Sequence, residues 1–468
     1  MTISIKSVFA QKPAGLSNQL VSIVCWLSLL LFPLTTKAEN IRVAVFQIDA
    51  TPPIGSPVAY SKTRSVTDPL SVRGIVILSR QQPIVLCTVD WIGIGNEGQD
   101  VWRQKLAQAA STSVDRVSIH ALHQHDGPRC DFTVEQIMEQ YGLGGTSIDN
   151  AFVMKVITNS AAALTESIRN AQTVTHLGFG QAIVDSVASN RRILGENGKV
   201  AITRWSATTD SVQIAAPQGL IDPWLRSVSL WNGKKPLAVL SYYTTHPQSF
   251  YGQGDVTCEF IGLARNARER QLGVPHIHFN GASGNITAGK YNDGSQASRQ
   301  VLTRRIEKAM TTAWESTVRS RISGKDVEWK FVKTQLPLSK NLTESSMRDE
   351  LSNAQLSLPI RYRAAEKLAW YQRTIAGNPV RISALRIGKT WLLNLPGEPF
   401  VEYQLAAQKM LGPRNHVCTA AYEEYGPGYI GTRISYEQGG YETSGNVSGC
   451  APEVEQVLLS AIRSVLSN

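Results

Sequence analysis

One stretch decides how the fold is interpreted: Ser118-Ile-His120-Ala-Leu-His123-Gln-His125-Asp126-Gly127-Pro128. A strand precedes this segment, and Asp-Gly-Pro ends it as a turn. Three of the eight histidines of the chain lie in it. His123 and His125 are two residues apart at a strand end, where both side chains can face one cavity. Taken alone, the pattern fits a pair of surface histidines in a loop equally well.

Strand and helix patterns alternate along the rest of the chain. Short apolar or alternating runs predict strands at residues 41–45, 74–78, 83–89, 237–243, 274–279, 382–387 and 390–395. Helical periodicity covers residues 99–110, 150–171, 298–315, 361–374 and 452–466. Residues 336–359 are polar and fit neither pattern. Length alone allows two or three domains, but the alternation predicts one large α/β catalytic domain over residues 39–468, with a mixed sheet and flanking helices.

The first 38 residues have the pattern of an export signal. Lys6 and Lys12 supply a positive start, an apolar run follows over residues 20–32, and Thr36-Lys37-Ala38 places small residues where a signal peptidase cuts. A membrane anchor is the alternative, but the apolar run is short for a bilayer span. We therefore predict a cleaved signal over residues 1–38 and an exported protein, secreted or periplasmic.

The net charge excludes some partners. It is +10 for the whole chain, and removing Lys6, Lys12 and Lys37 lowers it by three. The positive residues are scattered, which argues against a nucleic-acid groove. The positive charge is compatible with a peripheral contact with an anionic membrane surface. It does not indicate an oligomeric state. The expected partner is a small-molecule or lipid substrate.

Two more residues of types that can bind a metal ion follow predicted strands. His246 comes directly after the strand at 237–243 and precedes Pro247, and Glu398 lies in Asn394-Leu-Pro-Gly-Glu398 after the strand at 390–395. Separately, His246 fits a buried histidine with satisfied hydrogen bonds, and Glu398 fits an acidic residue at a helix N-terminus. Together with His123 they form the ligand set of a catalytic zinc site with a position left for water. The sequence thus predicts one Zn²⁺ per chain.

A glycine-rich segment, Phe279-Asn-Gly-Ala-Ser-Gly284-Asn-Ile-Thr287, follows another strand. Its small residues allow backbone N–H groups to approach a ligand closely, but it lacks the spacing of a nucleotide-binding loop. His276 and His278 alternate with apolar residues in the preceding strand. We expect these two histidines to pack rather than to bind metal.

In their order, these motifs resemble those of the neutral/alkaline ceramidases, zinc amidases that cut the N-acyl bond of ceramide. The segment from His123 to Pro128 is similar to the family's His-Thr-His-Ser-Gly-Pro. The other matching elements are His246-Pro247, Asn190-Arg191, Gly284-Asn-Ile-Thr287 for Gly-Asp-Val-Ser, Pro396-Gly-Glu398, and the pair Tyr429 and Tyr441.

The resemblance implies a role for each matching residue. It implies that His123, His246, Glu398 and Tyr441 hold the zinc ion. It implies that His125, Tyr429 and Arg191 polarise the substrate carbonyl and stabilise the developing oxyanion. Thr287 takes the place of a serine that has a proposed active-site role. The assignment of Tyr441 rests on the resemblance alone.

The sequence also departs from the family. Asp126 replaces a serine and Asn285 replaces an aspartate. The chain ends about one helix after Tyr441, so we expect no C-terminal β-sandwich domain of the kind that these ceramidases carry. The leading hypothesis is a zinc-dependent hydrolase that cleaves the N-acyl amide of ceramide or a related N-acyl lipid. The alternatives are a zinc amidase or esterase acting on a non-lipid substrate, and a catalytically silent binding protein.

Overall fold

The computed structural model describes residues 40–467, so the predicted signal over residues 1–38 lies outside the described residues. The α/β class with mixed sheets is confirmed. Eleven α-helices occur in the described part of the chain: Asn96–Ala110, Phe132–Gln140, Asn150–Arg169, Ser211–Ala215, Glu259–Leu272, Gln296–Glu315, Glu344–Ser352, Leu358–Ile375, Val401–Leu411, Arg433–Gln438 and Val454–Leu466.

Three larger sheets organise the described chain, and we name them A, B and C. Sheet A has the strand order Gln172–Val174, Ile41–Asp49, Ser71–Leu78, Ile84–Val89 and Val117–Ala121. Sheet B has the order His276–Asn280, Lys235–Tyr243, Trp224–Asn232, His176–Ile183 and Val318–Arg321. Sheet C has the order Val327–Thr334, Val380–Ile387, Thr390–Asn394 and His416–Ala420.

Six short strand pairs connect the loops around these sheets. They are Pro57–Val58 with Ser61–Lys62, Ser65–Val66 with Asp255–Val256, Gly93–Ile94 with Arg129–Cys130, Ser189–Asn190 with Ile286–Thr287, Arg192–Leu194 with Val200–Thr203, and Glu398–Pro399 with Tyr429–Ile430. The last pair is parallel, and its register places Glu398 opposite Tyr429. Side chains at paired positions point to the same face of a sheet, so this pairing brings the two residues together.

Sheets A, B and C share one apolar core. The period-2 alternation of strands accounts for this arrangement, since Ile84 and Leu86 of sheet A join the shared core with residues such as Leu240 of sheet B and Leu385 of sheet C. The intervening Val85 belongs to a second core that includes helix residues. Because both faces of the strand Ile84–Val89 are buried, its sequence is continuously apolar apart from Thr88.

Each of the three sheets contains one parallel strand pair, and the carboxyl ends of these pairs meet. Backbone hydrogen bonds join them: Ala121 N–H donates to the Tyr422 carbonyl at 3.2 Å, and Ala421 N–H donates to the Asn280 carbonyl at 2.8 Å. The side-chain amide of Asn280 also donates to the Leu122 carbonyl at 3.4 Å. The loops that leave these strand ends therefore start from one place, which is where the predicted site residues lie.

Most predicted elements are present, with boundaries shifted by a few residues. The sequence predicted no element for the polar stretch 336–359, in which the helix Glu344–Ser352 forms. Only Met347 and Leu351 of this helix are buried, so its apolar stripe is too narrow to stand out in the sequence. Among the described residues, no helix is both long and apolar enough to cross a membrane.

Candidate metal centre

His123 enters the site from the end of the strand Val117–Ala121. Its backbone has a positive φ of 68°, a conformation that costs a non-glycine residue roughly 1–2 kcal/mol. The surrounding contacts hold it there, since His123 N–H donates to the Trp91 carbonyl at 2.9 Å. Its ring stacks on that of Tyr422, with centroids 4.3 Å apart. His123 Nδ1 lies 2.7 Å from the carbonyl oxygen of Ile92, to which it donates.

His246 is oriented in the same way by a different strand. It follows the strand Lys235–Tyr243, and its Nδ1 donates to the carbonyl oxygen of Ile286 at 2.8 Å. A carbonyl oxygen can only accept, so the proton of each neutral imidazole lies on Nδ1. Both His123 and His246 consequently present the unprotonated Nε2 to the site.

Glu398 completes a group of three converging acceptors. Its Oε2 lies 3.2 Å from Nε2 of His123 and 3.1 Å from Nε2 of His246. All three side chains are buried. Two imidazole lone pairs and a carboxylate oxygen without a proton between them repel one another unless a cation lies among them. The donor set fits zinc, which binds neutral imidazole and carboxylate ligands.

The electrostatics favour the ligand forms of two of these groups. Burial alone raises the pKa of Glu398, but its neighbours His123 and His246 outweigh burial and hold that pKa well below the usual value. Burial lowers the pKa of His246. Tyr425 donates its hydroxyl to Glu398 Oε1 at 3.0 Å, which leaves Oε2 directed at the histidines.

His125 stands beside this group with the opposite tautomer. One ring nitrogen from each of His123, His125 and His246 lies within 4.8 Å of the other two. At Nδ1 of His125, however, the side-chain amide of Gln248 donates at 2.6 Å. Nδ1 is therefore the acceptor, and Nε2 carries the proton at 3.3 Å from Nε2 of His123. His125 presents an N–H donor to the site rather than a lone pair.

The Gln248 contact supports a prediction about His125. In Gln248→Glu, a carboxylate replaces the amide donor and accepts the proton at Nδ1, so the neutral ring loses its Nε2 proton. We expect kcat for the predicted amide hydrolysis to fall about tenfold or more above neutral pH, with no change in metal content. Gln300→Glu, at an exposed helix position, is the matched control. Unchanged kcat in Gln248→Glu would show that the His125 N–H is not used.

Tyr429 and Arg191 lie next to His246. The hydroxyl of Tyr429 is 3.5 Å from His246 Nε2, and Arg191 Nη1 donates to that hydroxyl at 3.0 Å. Burial raises the pKa of Tyr429 well above its usual value, and the Arg191 charge opposes this rise. Arg191 Nε is 3.3 Å from Glu442 Oε1, so the guanidinium is held at both ends.

Tyr441 packs against Tyr429, on the side of the Arg191 guanidinium and the Trp205 ring. Its centroid is 5.8 Å from that of Tyr429 and 5.0 Å from that of Trp205. The guanidinium carbon of Arg191 lies 5.5 Å from the Tyr441 centroid. The resemblance assigns the fourth ligand position to Tyr441. That assignment stays a prediction. The Tyr429 hydroxyl lies 3.5 Å from His246 Nε2 and Tyr429 pairs with Glu398, so Tyr429 is a second candidate for this position, and both tyrosines line the cavity.

Thr287 is buried next to the residue that orients His246. Its hydroxyl lies 3.4 Å from the carbonyl oxygen of Trp205, to which it donates. The Thr287 hydroxyl is thus directed to the backbone, and Thr287 is not among the residues that line the cavity beside the metal centre. The catalytic roles of His125, Tyr429, Arg191 and Thr287 stay predictions.

A cavity of about 300 Å³ opens from the metal centre. His123, His125, Glu398, Tyr429 and Tyr441 all line it. The rest of its wall mixes aromatic, apolar and charged side chains, of which Tyr60, Tyr362, Trp370, Leu358, Lys62 and Arg363 are examples. The cavity gives a substrate access to the metal centre and to the His125 N–H at the same time.

Comparison with known proteins gives the fold. No protein-family model and no curated protein matches this sequence. Among solved structures, the neutral ceramidase from Pseudomonas aeruginosa matches with a TM-score of 0.64 at 16% identity, over 91% of this chain and 74% of that chain. A ceramidase complexed with C2 matches with a TM-score of 0.63 at 16% identity, over 91% and 75%. The chain has the neutral ceramidase fold.

Within this ceramidase fold, Asn285 has a structural role. Its side-chain oxygen accepts from Val401 N–H at 2.9 Å, at the start of the helix Val401–Leu411. Its amide nitrogen donates to Glu402 Oε2, also at 2.9 Å. Asn285 and Thr287 are buried, so the Asn-Ile-Thr glycosylation pattern is inaccessible in the folded chain. Asparagine serves here because it donates to an acid, which an aspartate cannot do.

Restoring the family's aspartate is expected to destabilise the fold. Asn285→Asp places a carboxylate 2.9 Å from Glu402 and removes a buried donor, at about 2 kcal/mol. Burial already raises the pKa of Glu402. The loss in free energy of unfolding is therefore largest above neutral pH, where both carboxyls are charged, and it shrinks as pH falls and one carboxyl takes up a proton. Chemical denaturation at pH 8 and pH 5 measures it. Asn353→Asp, at an exposed position where only the side-chain oxygen is used, is the control, and an equal effect of both variants would contradict the account.

Several residues that contact the site histidines belong to no recognisable sequence motif. Tyr60 donates its hydroxyl to His125 Nδ1 at 2.9 Å, and no neighbouring motif marks it in Ala59-Tyr60-Ser61. Gln248 is an ordinary polar residue two positions after His246. Only Tyr422 and Tyr425 had a visible cue, since they belong to the tyrosine- and glycine-rich run Tyr422-Glu-Glu-Tyr425-Gly-Pro-Gly-Tyr429.

Proposed function

We propose that the protein is a zinc-dependent hydrolase that cleaves linear N-acyl amides, with ceramide or a related N-acyl lipid as substrate. The observation that carries the proposal is the convergence of His123 Nε2 and His246 Nε2 on Glu398 Oε2, at 3.2 and 3.1 Å, with the Nδ1 proton of each histidine donated to a backbone carbonyl. The ceramidase fold, with its motif residues meeting at one cavity, supports the choice of an amide substrate.

The proposed metal site consists of His123, His246 and Glu398, with Tyr429 in the fourth position. Zinc bound there supplies Lewis acidity and an activated water nucleophile. The Arg191 guanidinium donates to the Tyr429 hydroxyl and favours its ionised form, which is the form that binds a metal. Tyr425 fixes the Glu398 carboxylate from the opposite side.

The remaining residues are assigned to the substrate. The His125 Nε2–H is placed to donate to the amide carbonyl oxygen, and its donation strengthens as negative charge develops there. Gln248 keeps the proton on that nitrogen. Tyr441 lines the cavity beside Tyr429 and is placed to contact the same carbonyl or the leaving amine. The buried surroundings strengthen each of these interactions.

A hydrolysis screen tests the proposed function. Purified protein is incubated with a ceramide, an N-acylethanolamine, an N-acyl amino acid and a simple ester, with and without chelator, and fatty-acid release is measured. We expect chelator-sensitive release from at least one amide, restored by added zinc. Cleavage of esters alone would replace the amidase assignment with an esterase. Zinc binding without any hydrolysis would favour the silent binding protein.

A further inference from the structure

The cavity wall is divided between apolar and cationic side chains. Its apolar and aromatic part includes Val58, Ile92, Leu358, Pro359, Tyr362 and Trp370. Four cations also line it: Lys62, Arg129, Arg363 and Lys367. A ligand that fills this cavity therefore meets both kinds of surface. A cation in the wall attracts an anionic head group only if a neighbouring acid does not already neutralise its charge.

Two of the four cations are already paired. Arg129 Nη1 lies 3.4 Å from Glu366 Oε1, and its guanidinium carbon lies 4.5 Å from the centroid of the Tyr362 ring. Lys367 Nζ lies 3.1 Å from Glu350 Oε2. These two side chains hold the wall together and bring no uncompensated charge to the cavity.

The other two cations are solvent-exposed and make no close ion pair. Among residues 40–467, no side-chain hydrogen bond or close ion pair joins Lys62 or Arg363 to another residue, and the charge of Arg363 acts on Glu366 only at longer range, where it opposes the rise in pKa that burial causes. Lys62 is two residues from Tyr60, whose hydroxyl contacts His125. The positive charge of Arg363 acts on Tyr441 and opposes the rise of its pKa. The charge of Arg363 is thus felt at Tyr441, and both cations line the same cavity as His125.

We propose that this site selects N-acyl amino acids, whose carboxylate binds Arg363 with help from Lys62 while the acyl chain lies against the apolar wall. This inference rests on the proposed amidase function and narrows its substrate class. A carboxylate matches the fork of N–H donors on a guanidinium. The neutral head group of ceramide offers these cations no charge to pair with, which disfavours it relative to an anion.

A pair of matched ligands tests the proposal. Dodecanoylglycine and dodecanoylglycinamide differ only in the charge of the group that would meet Arg363. We expect wild-type kcat/KM for release of dodecanoate to be about tenfold higher for dodecanoylglycine, the ratio of one charge-assisted hydrogen bond. Arg363→Gln should bring the two values together by lowering only that for the acid. Arg304→Gln, at an exposed position within another helix, should preserve the preference.

Calorimetric binding of both ligands to the zinc-depleted protein separates this inference from the proposed function. If nothing is hydrolysed but dodecanoylglycine still binds about tenfold more tightly through Arg363, the amidase assignment fails and the anion preference stands. Equal binding and equal kcat/KM for the two ligands overturn the preference. It is also overturned if Arg363→Gln leaves the ratio unchanged and instead weakens binding to phosphatidylglycerol vesicles, which would assign the cations to a lipid surface.

Discussion

Glu398→Gln is expected to abolish zinc binding and to lower amide hydrolysis by about a thousandfold or more, with the fold retained. The substitution preserves the size of the side chain, and the oxygen that accepts from Tyr425 can remain in place. It removes the negative charge that faces the Nε2 atoms of His123 and His246 at 3.2 and 3.1 Å. Elemental mass spectrometry measures zinc content, fatty-acid release measures hydrolysis, and circular dichroism shows whether the fold is retained.

The chain offers a close control for this variant. Glu402 lies four residues further along, is partly buried, and contacts Asn285 rather than the histidines. Glu402→Gln can still accept from Asn285, so we expect it to keep both zinc and activity. If Glu398→Gln retains full activity, Glu398 is only an acidic residue ahead of a helix, the simpler interpretation that its sequence context allows.

The two tyrosines are expected to behave differently when their hydroxyls are removed. Tyr429→Phe should weaken zinc affinity about 10- to 100-fold, in the range seen for disturbed metal sites, because the Tyr429 hydroxyl lies 3.5 Å from His246 Nε2. Tyr441→Phe should keep the zinc content of the wild type and lower kcat. Competition with a chromogenic chelator measures the affinities, and steady-state hydrolysis measures kcat.

The two variants serve as controls for each other, since each removes one hydroxyl from adjacent rings in the same cavity wall. Loss of zinc in Tyr441→Phe together with retention in Tyr429→Phe would support the assignment that the sequence resemblance implies. Loss in both would mean that the hydroxyls act as one unit through Arg191, whose guanidinium contacts the Tyr429 hydroxyl and lies near the Tyr441 ring.

The sequence predicted the strand ends that carry the site because local periodicity determines them. His123, His246 and Glu398 each follow a buried strand, and runs of apolar residues bounded by turns are visible without a structure. The sequence could not show that these strands belong to three different sheets whose carboxyl ends meet. That arrangement depends on contacts such as Ala421 N–H to the Asn280 carbonyl, which join segments far apart in the chain.

The residues that determine the chemistry of the histidines were the hardest to predict. The tautomer of His125 is set by Gln248, and that of His246 by the carbonyl of Ile286. Neither residue has a composition or spacing that marks it, because any residue supplies a backbone carbonyl and glutamine is a common surface residue. The order of Tyr429 and Tyr441 around the metal likewise depends on the pairing of Glu398 with Tyr429, a long-range contact.

The central claim is that one metal ion lies between His123, His246 and Glu398. Crystals of the purified protein, measured at wavelengths on both sides of the zinc absorption edge, test it directly. We expect one anomalous difference peak per chain, about 2.0–2.2 Å from Nε2 of each histidine and from a carboxylate oxygen of Glu398. No peak at this position in crystals grown with zinc, or a peak only at other residues, would contradict the account.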